Sequence, residues 1–289
     1  MNIDDSRALE ELKHWEVEYT NKREHSIVNR TFKRVGELAK PVTIPLSRTF
    51  KPLTDSDLSK KVQETLQVAI AGAFQFTHDN IKYTYDKSYI LRALKVDSFD
   101  QLNSFNANTI EHHVKKIADQ NKIASAVEGA GFGIGGLEST LAEIPVFFSL
   151  LARVQQQICS CYGFNPESDF EQAFMLKAMA FSDFISLGGK TELLLEMNAL
   201  KIAIKRNTYK QLNEMGSKFL LPQIAKNFAA SQGVRLSKTK MIQGIPFIGA
   251  VVGGLFNYGY ITRVINTTNR LYKKRFLENK YNIIDITSA

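Results

Sequence analysis

The chain has 289 residues, 44% hydrophobic and 23% charged, with a formal net charge of +8. That length holds one large domain or two ordinary ones, and the balance argues against a disordered chain and against a protein of many membrane spans. Two cysteines, Cys159 and Cys161, are too few for a disulfide framework or a zinc site and read as reduced thiols. The acidic start Met1-Asn2-Ile3-Asp4-Asp5 lacks the basic residues and apolar run of a signal peptide, so an intracellular protein is expected.

Residues from about Ser6 to Leu38 read as one charged helix with Leu9, Leu12, Trp15, Val17 and Tyr19 as a modest apolar stripe, ended by Ala39-Lys40-Pro41. Pro45 and Pro52 keep the next stretch extended. This divides the chain into a peripheral arm and linker over 1–50, a helical domain over 51–280 and a tail over 281–289. Thr54 and Asp55 cap a helix whose Leu58, Val62, Leu66, Ala69, Ala73 and Phe76 recur at core-facing spacing. Another helix near Asn108 carries Ile110, Val114 and Ile117 on one face.

Leu137 to Cys161 is a helix interrupted or restarted at Pro145. Its later part presents Phe147, Leu150, Leu151, Val154 and Ile158 on one face, with Arg153 and Gln155-Gln156-Gln157 largely on the others. Asn165 as cap, Pro166 at the first helical position and Glu167 in the first turn start a helix reaching about Leu187 and ended by Gly188-Gly189. Thr191 and Glu192 open a further helix to Glu214, stopped by Gly216. A basic linker with Arg235, Lys238 and Lys240 leads to an uncharged stretch from Met241 to Thr262, and then to a basic helix around Arg263 to Lys280. No run alternates as a strand does, so the predicted fold class is all-α, a multi-helix domain with two glycine-rich apolar helical segments.

Ten of the seventeen glycines fall in two places, five between Gly129 and Gly136 and five between Gly244 and Gly259. Gly129 with Gly133, Gly131 with Gly135, and Gly249 with Gly253 are four apart, which stacks small residues on one helix face and admits a close neighbour. Each segment also carries an isoleucine-proline pair, Ile144-Pro145 and Ile245-Pro246, and joins a helix with a cation, Arg153 or Arg263, as a loose internal echo. A dinucleotide or P-loop phosphate cradle needs a preceding strand or a Gly-Lys-Ser/Thr ending. Here a polar helix precedes the glycines and Leu137-Glu138 follows them, so close packing against a helix or lipid is the reading.

Four pieces in order give the sequence a family likeness: Gly129-Ala130-Gly131-Phe132-Gly133-Ile134-Gly135-Gly136, Ala142-Glu143-Ile144-Pro145, Tyr162-Gly163-Phe164-Asn165-Pro166, and Ile245-Pro246-Phe247-Ile248-Gly249 with Asn257. At these residues it resembles the EcsC family of bacterial proteins, named for a protein encoded beside an ABC transporter. The family pattern has aspartate where this chain has Glu143 and Asn165, substitutions that keep the charge in one case and the capping role in the other. Trp15 matches a tryptophan of the family's N-terminal helix, and the resemblance runs from about Trp15 to Arg275. It implies a helical domain linked to membranes, transport and secretion, and it brings no catalytic residue.

The 22 charge-free residues of Met241–Thr262 make roughly 33 Å of helix, near the thickness of a hydrocarbon core, with Tyr258 and Tyr260 near one end. Five glycines, Pro246, Gln243 and Asn257 lower the hydrophobicity, so insertion, surface association and core burial all fit. The residues expected at a membrane or packing contact are Gly129, Gly131, Gly133, Gly135, Gly136, Pro145, Pro246, Gly249, Gly253 and Asn257. Arg263, Arg270, Lys273, Lys274 and Arg275 are the expected lipid-facing cations, each worth about 1 kcal/mol at an anionic surface. The run Tyr272-Lys273-Lys274-Arg275-Phe276 also suits nucleic acid, which is the weaker reading.

Glu143 and Arg153 are the notable charges of the first apolar helix and a candidate polar site, although ten residues separate them and a solvated face explains them more simply. His112 and His113 diverge by about 100° on a helix and Glu111 does not complete a metal set. No His-Glu-x-x-His or Gly-x-Ser-x-Gly occurs. The expectation is a non-enzymatic cytoplasmic protein without metal or cofactor, peripheral to the inner face of the cell membrane, with an anionic membrane surface or a membrane protein complex as partner. A soluble interaction module in a stress or defence pathway is the alternative, and an uncharacterised hydrolase comes third.

Overall fold

A computed structural model describes residues 1–21, 87–132, 136–183, 187–206 and 248–283, with isolated helical positions at 60, 64, 65, 68 and 224. The described residues form seven α-helices and one 3-10 turn, with no strand among them. The helices are α1 (Ile3–Asn21), α2 (Lys87–Leu94), α3 (Ala107–Phe132), α4 (Gly136–Cys161), α5 (Asp169–Asp183), α6 (Leu187–Arg206) and α7 (Ile248–Lys280), and the 3-10 turn, Phe99–Ser104, follows α2. The protein is all-α. Most of the helix expected after Thr54, the part of the Thr191–Glu214 helix beyond Arg206, and the Arg235–Lys240 linker lie outside the described residues.

Short polar side chains start the helices where the sequence puts them. Asn2 Oδ1 accepts the Asp5 amide at 2.7 Å, and Asn106 Oδ1 accepts the Thr109 amide at 2.8 Å, each relieving an orphan donor of a first turn. Helix α5 begins three residues later than its proline signal, because Asn165 folds the chain into a turn: its side chain takes the Glu167 amide and its carbonyl takes the Ser168 amide. The described part of α5 runs to Asp183, and Gly188 and Gly189 fall in the first turn of α6.

Three helix ends share one hydrogen-bond pattern, in which a residue one or two places past the helix turns left-handed and the next amide reaches back five residues. Helix α4 does this with Gly163 (φ 80°) and Phe164 N–H to Cys159 O at 3.1 Å. Helix α7 does it with Asn282 (φ 52°) and Ile283 N–H to Glu278 O at 2.8 Å. Helix α2 does it with Lys95 (φ 56°) and Val96 N–H to Leu91 O at 3.1 Å. Glycine and asparagine enter this conformation readily, whereas a lysine there costs about 1 kcal/mol.

Helix α7 is the axis of the bundle, packed along α3 and against α4 and α5, with α1 at one edge. The apolar stripe of α3 behaves as its spacing predicts, with Ile110, Val114 and Ile117 buried. Helix α1 is less peripheral than the arm expected from its composition: Ala8, Leu9 and Leu12 are buried, and Trp15 and Tyr19 pack on Phe181 of α5, while Val17 stays exposed. Gln155, Gln156 and Gln157 are also buried, contrary to their expected outward faces, because α4 is covered on several sides by α2, α3, α5 and α7.

The direction of the helices decides where the glycines go. Phe147 meets Tyr260 at 5.7 Å and, eight residues on in both helices, Gln155 Nε2 donates to Thr268 Oγ1 at 3.0 Å. Tyr162 then meets Phe276, so α4 and α7 run parallel in a constant register. Carried back eleven residues, that register sets Gly136 level with Gly249. Helix α3 runs the other way, since Asn108 and Glu111 near its start bond Lys273 near the end of α7. Its last turns, with Gly129 and Gly131, therefore finish at the end where α4 and α7 begin.

Candidate functional site

The bundle thus has two chemically different ends. At the end where α7 finishes, four consecutive residues, Tyr272 to Arg275, point to different neighbours, as successive 100° steps require. Lys273 Nζ bonds Glu111 at 2.7 Å and Asn108 at 2.9 Å on α3. Lys274 pairs with Glu16 of α1. Arg275 makes two parallel 2.7 Å bonds to Glu171 of α5, and the Tyr272 hydroxyl donates to the same carboxylate at 2.9 Å. One turn on, Glu278 accepts from Lys201 of α6 at 3.1 Å, and Lys280 reaches Asp5 at 2.9 Å.

Arg275 is 4% exposed and stacks its guanidinium on Phe164 and Phe174 at 4.2 and 4.3 Å. Burial alone would lower its pKa, but the Glu171 carboxylate raises it, so the arginine stays charged. Burial likewise pushes Asp5 and Glu111 up, and hydrogen bonds and charge outweigh it. The Tyr281 hydroxyl, the Ala107 amide and Lys280 hold Asp5 below its ordinary value, and Lys273, Lys115 and Asn269 do the same for Glu111. The two thiols are sealed in this core: burial raises Cys159 and pushes Cys161 up to about 12, which leaves neither as a ready nucleophile.

Lys273, Lys274 and Arg275 therefore do not face outward as the basic run suggested; each is buried and neutralised by a carboxylate from another helix. Of the five cations expected at a lipid surface, only Arg270 is exposed, its guanidinium 5.0 Å from the Trp15 ring, while Arg263 is half-buried near Tyr260. Glu111, Glu16 and Glu171, the partners of Lys273, Lys274 and Arg275, were not legible as a set. The available signal was Glu171 among Phe170, Ala173 and Phe174, an acid that a buried face must pair.

At the other end lie the described glycines at which α3 finishes and α4 and α7 begin. Gly129 and Gly131 lie in α3, Gly136 and Pro145 in α4, and Gly249, Gly253 and Asn257 in α7, while Gly133, Gly135 and Pro246 lie outside the described residues. Helix α4 runs unbroken through Pro145. Arg153 is exposed; the side chain of Glu143, its expected companion, lies outside the described residues. Just inside this end the Phe147–Tyr260 contact joins α4 to α7, flanked by Val146 and Tyr258, each 44% exposed. Among the described residues no helix is long and apolar enough to cross a membrane, and no group of three or more His, Cys, Asp or Glu is placed to hold a metal.

An all-α bundle tied by buried ion pairs between helices is the class of protein these residues define. The chain belongs to the EcsC protein family, whose profile matches residues 6–277. It is 22% identical over 237 residues to YdbA of Bacillus subtilis (strain 168), a protein described as uncharacterized; the match covers 80% of this chain and 84% of YdbA. It is 24% identical over 164 residues to protein EcsC of the same organism, covering 57% of this chain and 62% of that protein. No solved structure matches.

Proposed function

We propose that this is a non-enzymatic cytoplasmic protein that docks peripherally on the inner face of the cell membrane, or on a complex within it, through its glycine-rich end. The observation that carries the reading is the parallel register of α4 and α7, set by Phe147–Tyr260 and Gln155–Thr268, which brings two sequence-distant apolar segments level with each other. Small residues there let helices or lipid approach closely, and an exposed tyrosine such as Tyr258 suits a membrane–water interface. A peripheral contact fits described helices that are too short in apolar length to span. The buried thiols and paired carboxylates of the other end support a role without covalent chemistry.

Because Lys273, Lys274 and Arg275 are held in internal pairs, the contact is mainly apolar. The protein should pellet with vesicles containing phosphatidylglycerol and stay bound in about 1 M salt, where charges are screened beyond about 3 Å. Alkaline carbonate should release it. Val146→Asp with Tyr258→Asp should weaken vesicle binding about tenfold or more while leaving the helical content unchanged. A protein that stays in the supernatant with these vesicles at low salt would refute membrane docking and leave a soluble interaction module in its place.

A further inference from the structure

Helix α2, the residues after it and one face of α3 enclose a groove of about 460 Å³. Its lining is Tyr89, Arg92, Ala93 and Lys95 on one side and His112, His113, Lys116 and Ile117 on the other. That volume lies within the roughly 300–1,000 Å³ of ordinary small-molecule clefts. No carboxylate is among these residues, although elsewhere in the bundle every one of the buried cations Lys273, Lys274 and Arg275 has one. Lys95 and Lys116 make no ion pair among the described residues, and both are exposed. Four nitrogen-bearing side chains, Lys95, Lys116, His112 and His113, thus converge on one cleft.

The backbone adds an independent sign. Three helices end in the same left-handed turn, two of them on the residues that suit it, Gly163 and Asn282, and the third on Lys95. A glycine at 95 would relieve the crowding of the β-carbon, so the lysine is a local cost to the fold that a task for its side chain would explain. The groove is firmly mounted: Ile90 and Leu94 hold α2 in the core and Ile117 forms the floor.

We propose that this groove binds a small phosphate anion carrying two or more negative charges, held by the Lys95 and Lys116 ammonium groups and completed by the imidazoles of His112 and His113. Charge-assisted bonds from several directions suit phosphate oxygens. Burial and the neighbouring His112, Lys116 and Lys95 lower the pKa of His113, so it is mostly neutral near pH 7 in the empty groove. An anion reverses that repulsion, so binding takes up protons and strengthens as pH falls. Along α3, Lys116 stands roughly 20 Å from Gly129, so the site is separate from the glycine-rich end.

Inorganic pyrophosphate is the probe, titrated calorimetrically into the intact chain at low ionic strength. One-to-one binding is expected, tightening between about pH 8 and about pH 6. Lys95→Gly and Lys116→Gln should each weaken it about tenfold, and Lys95→Gly should leave the melting temperature unchanged or raised, which separates a binding role from a structural one. Phosphatidate vesicles, tested in the Val146→Asp, Tyr258→Asp background, distinguish the source of the phosphate. Vesicle binding that pyrophosphate competes away and Lys95→Gly weakens likewise assigns a lipid headgroup, whereas pyrophosphate binding without vesicle binding assigns a soluble ligand; either supports the site. Binding that survives both lysine substitutions, or no binding of pyrophosphate or phosphatidate vesicles, overturns it.

Discussion

Arg275 and Glu171 make the sharpest case at the scale of single residues. Two buried ions joined by two short bonds cost much of their attraction in lost hydration, yet removing one leaves the other stranded. Arg275→Ala should therefore destabilise the protein by about 3–5 kcal/mol in urea titrations followed by circular dichroism. Replacing both, as Glu171→Leu with Arg275→Met, should cost clearly less than the sum of the single changes, and strict additivity would show that the two do not act as a pair. Tyr272 loses its acceptor in that double variant, which sets the remaining cost.

At the scale of the helix, α7 explains what the sequence conceals. A run of Lys273, Lys274 and Arg275 ordinarily reads as a solvated or lipid-facing face, and the partners that cancel it lie 162, 258 and 104 residues away. No local pattern carries pairings of that range. The α3 stripe was legible because one face is buried and the other is not, whereas Gln155–Gln157 misled because a helix covered on several sides hides polar residues as well. Replacing Lys273, Lys274 and Arg275 together with glutamate would put like charges against Glu111, Glu16 and Glu171. We expect loss of the cooperative thermal transition rather than release of a folded protein from membranes; a well-folded triple variant would show that these pairs do not hold α7.

For the whole molecule, the charge-locked end sets the response to acid. Asp5 and Glu111 titrate below their ordinary 3.8 and 4.5 in the fold, so their stabilisation is complete above those values. As pH falls through the lowered folded values, the unfolded chain takes protons first and the stabilisation is lost. The melting temperature should fall steeply below about pH 4.5, and Asp5→Asn or Glu111→Gln should start lower at neutral pH but decline less; a slope equal to the wild type in both variants would exclude these carboxylates.

The ties between Asp5 and Lys280, and between Glu16 and Lys274, join residues 275 and 258 positions apart, and α7 is the helix on which α1, α3, α4 and α5 all close. During synthesis the earlier helices are made first and have only one another to close upon. The carboxylates of α1, α3 and α5 wait without their cations, and the apolar faces of α3 and α4 wait without cover, until α7 leaves the ribosome. Assembly is therefore late and nearly all at once, in an order fixed by translation. The interval before it is when this chain most needs a chaperone.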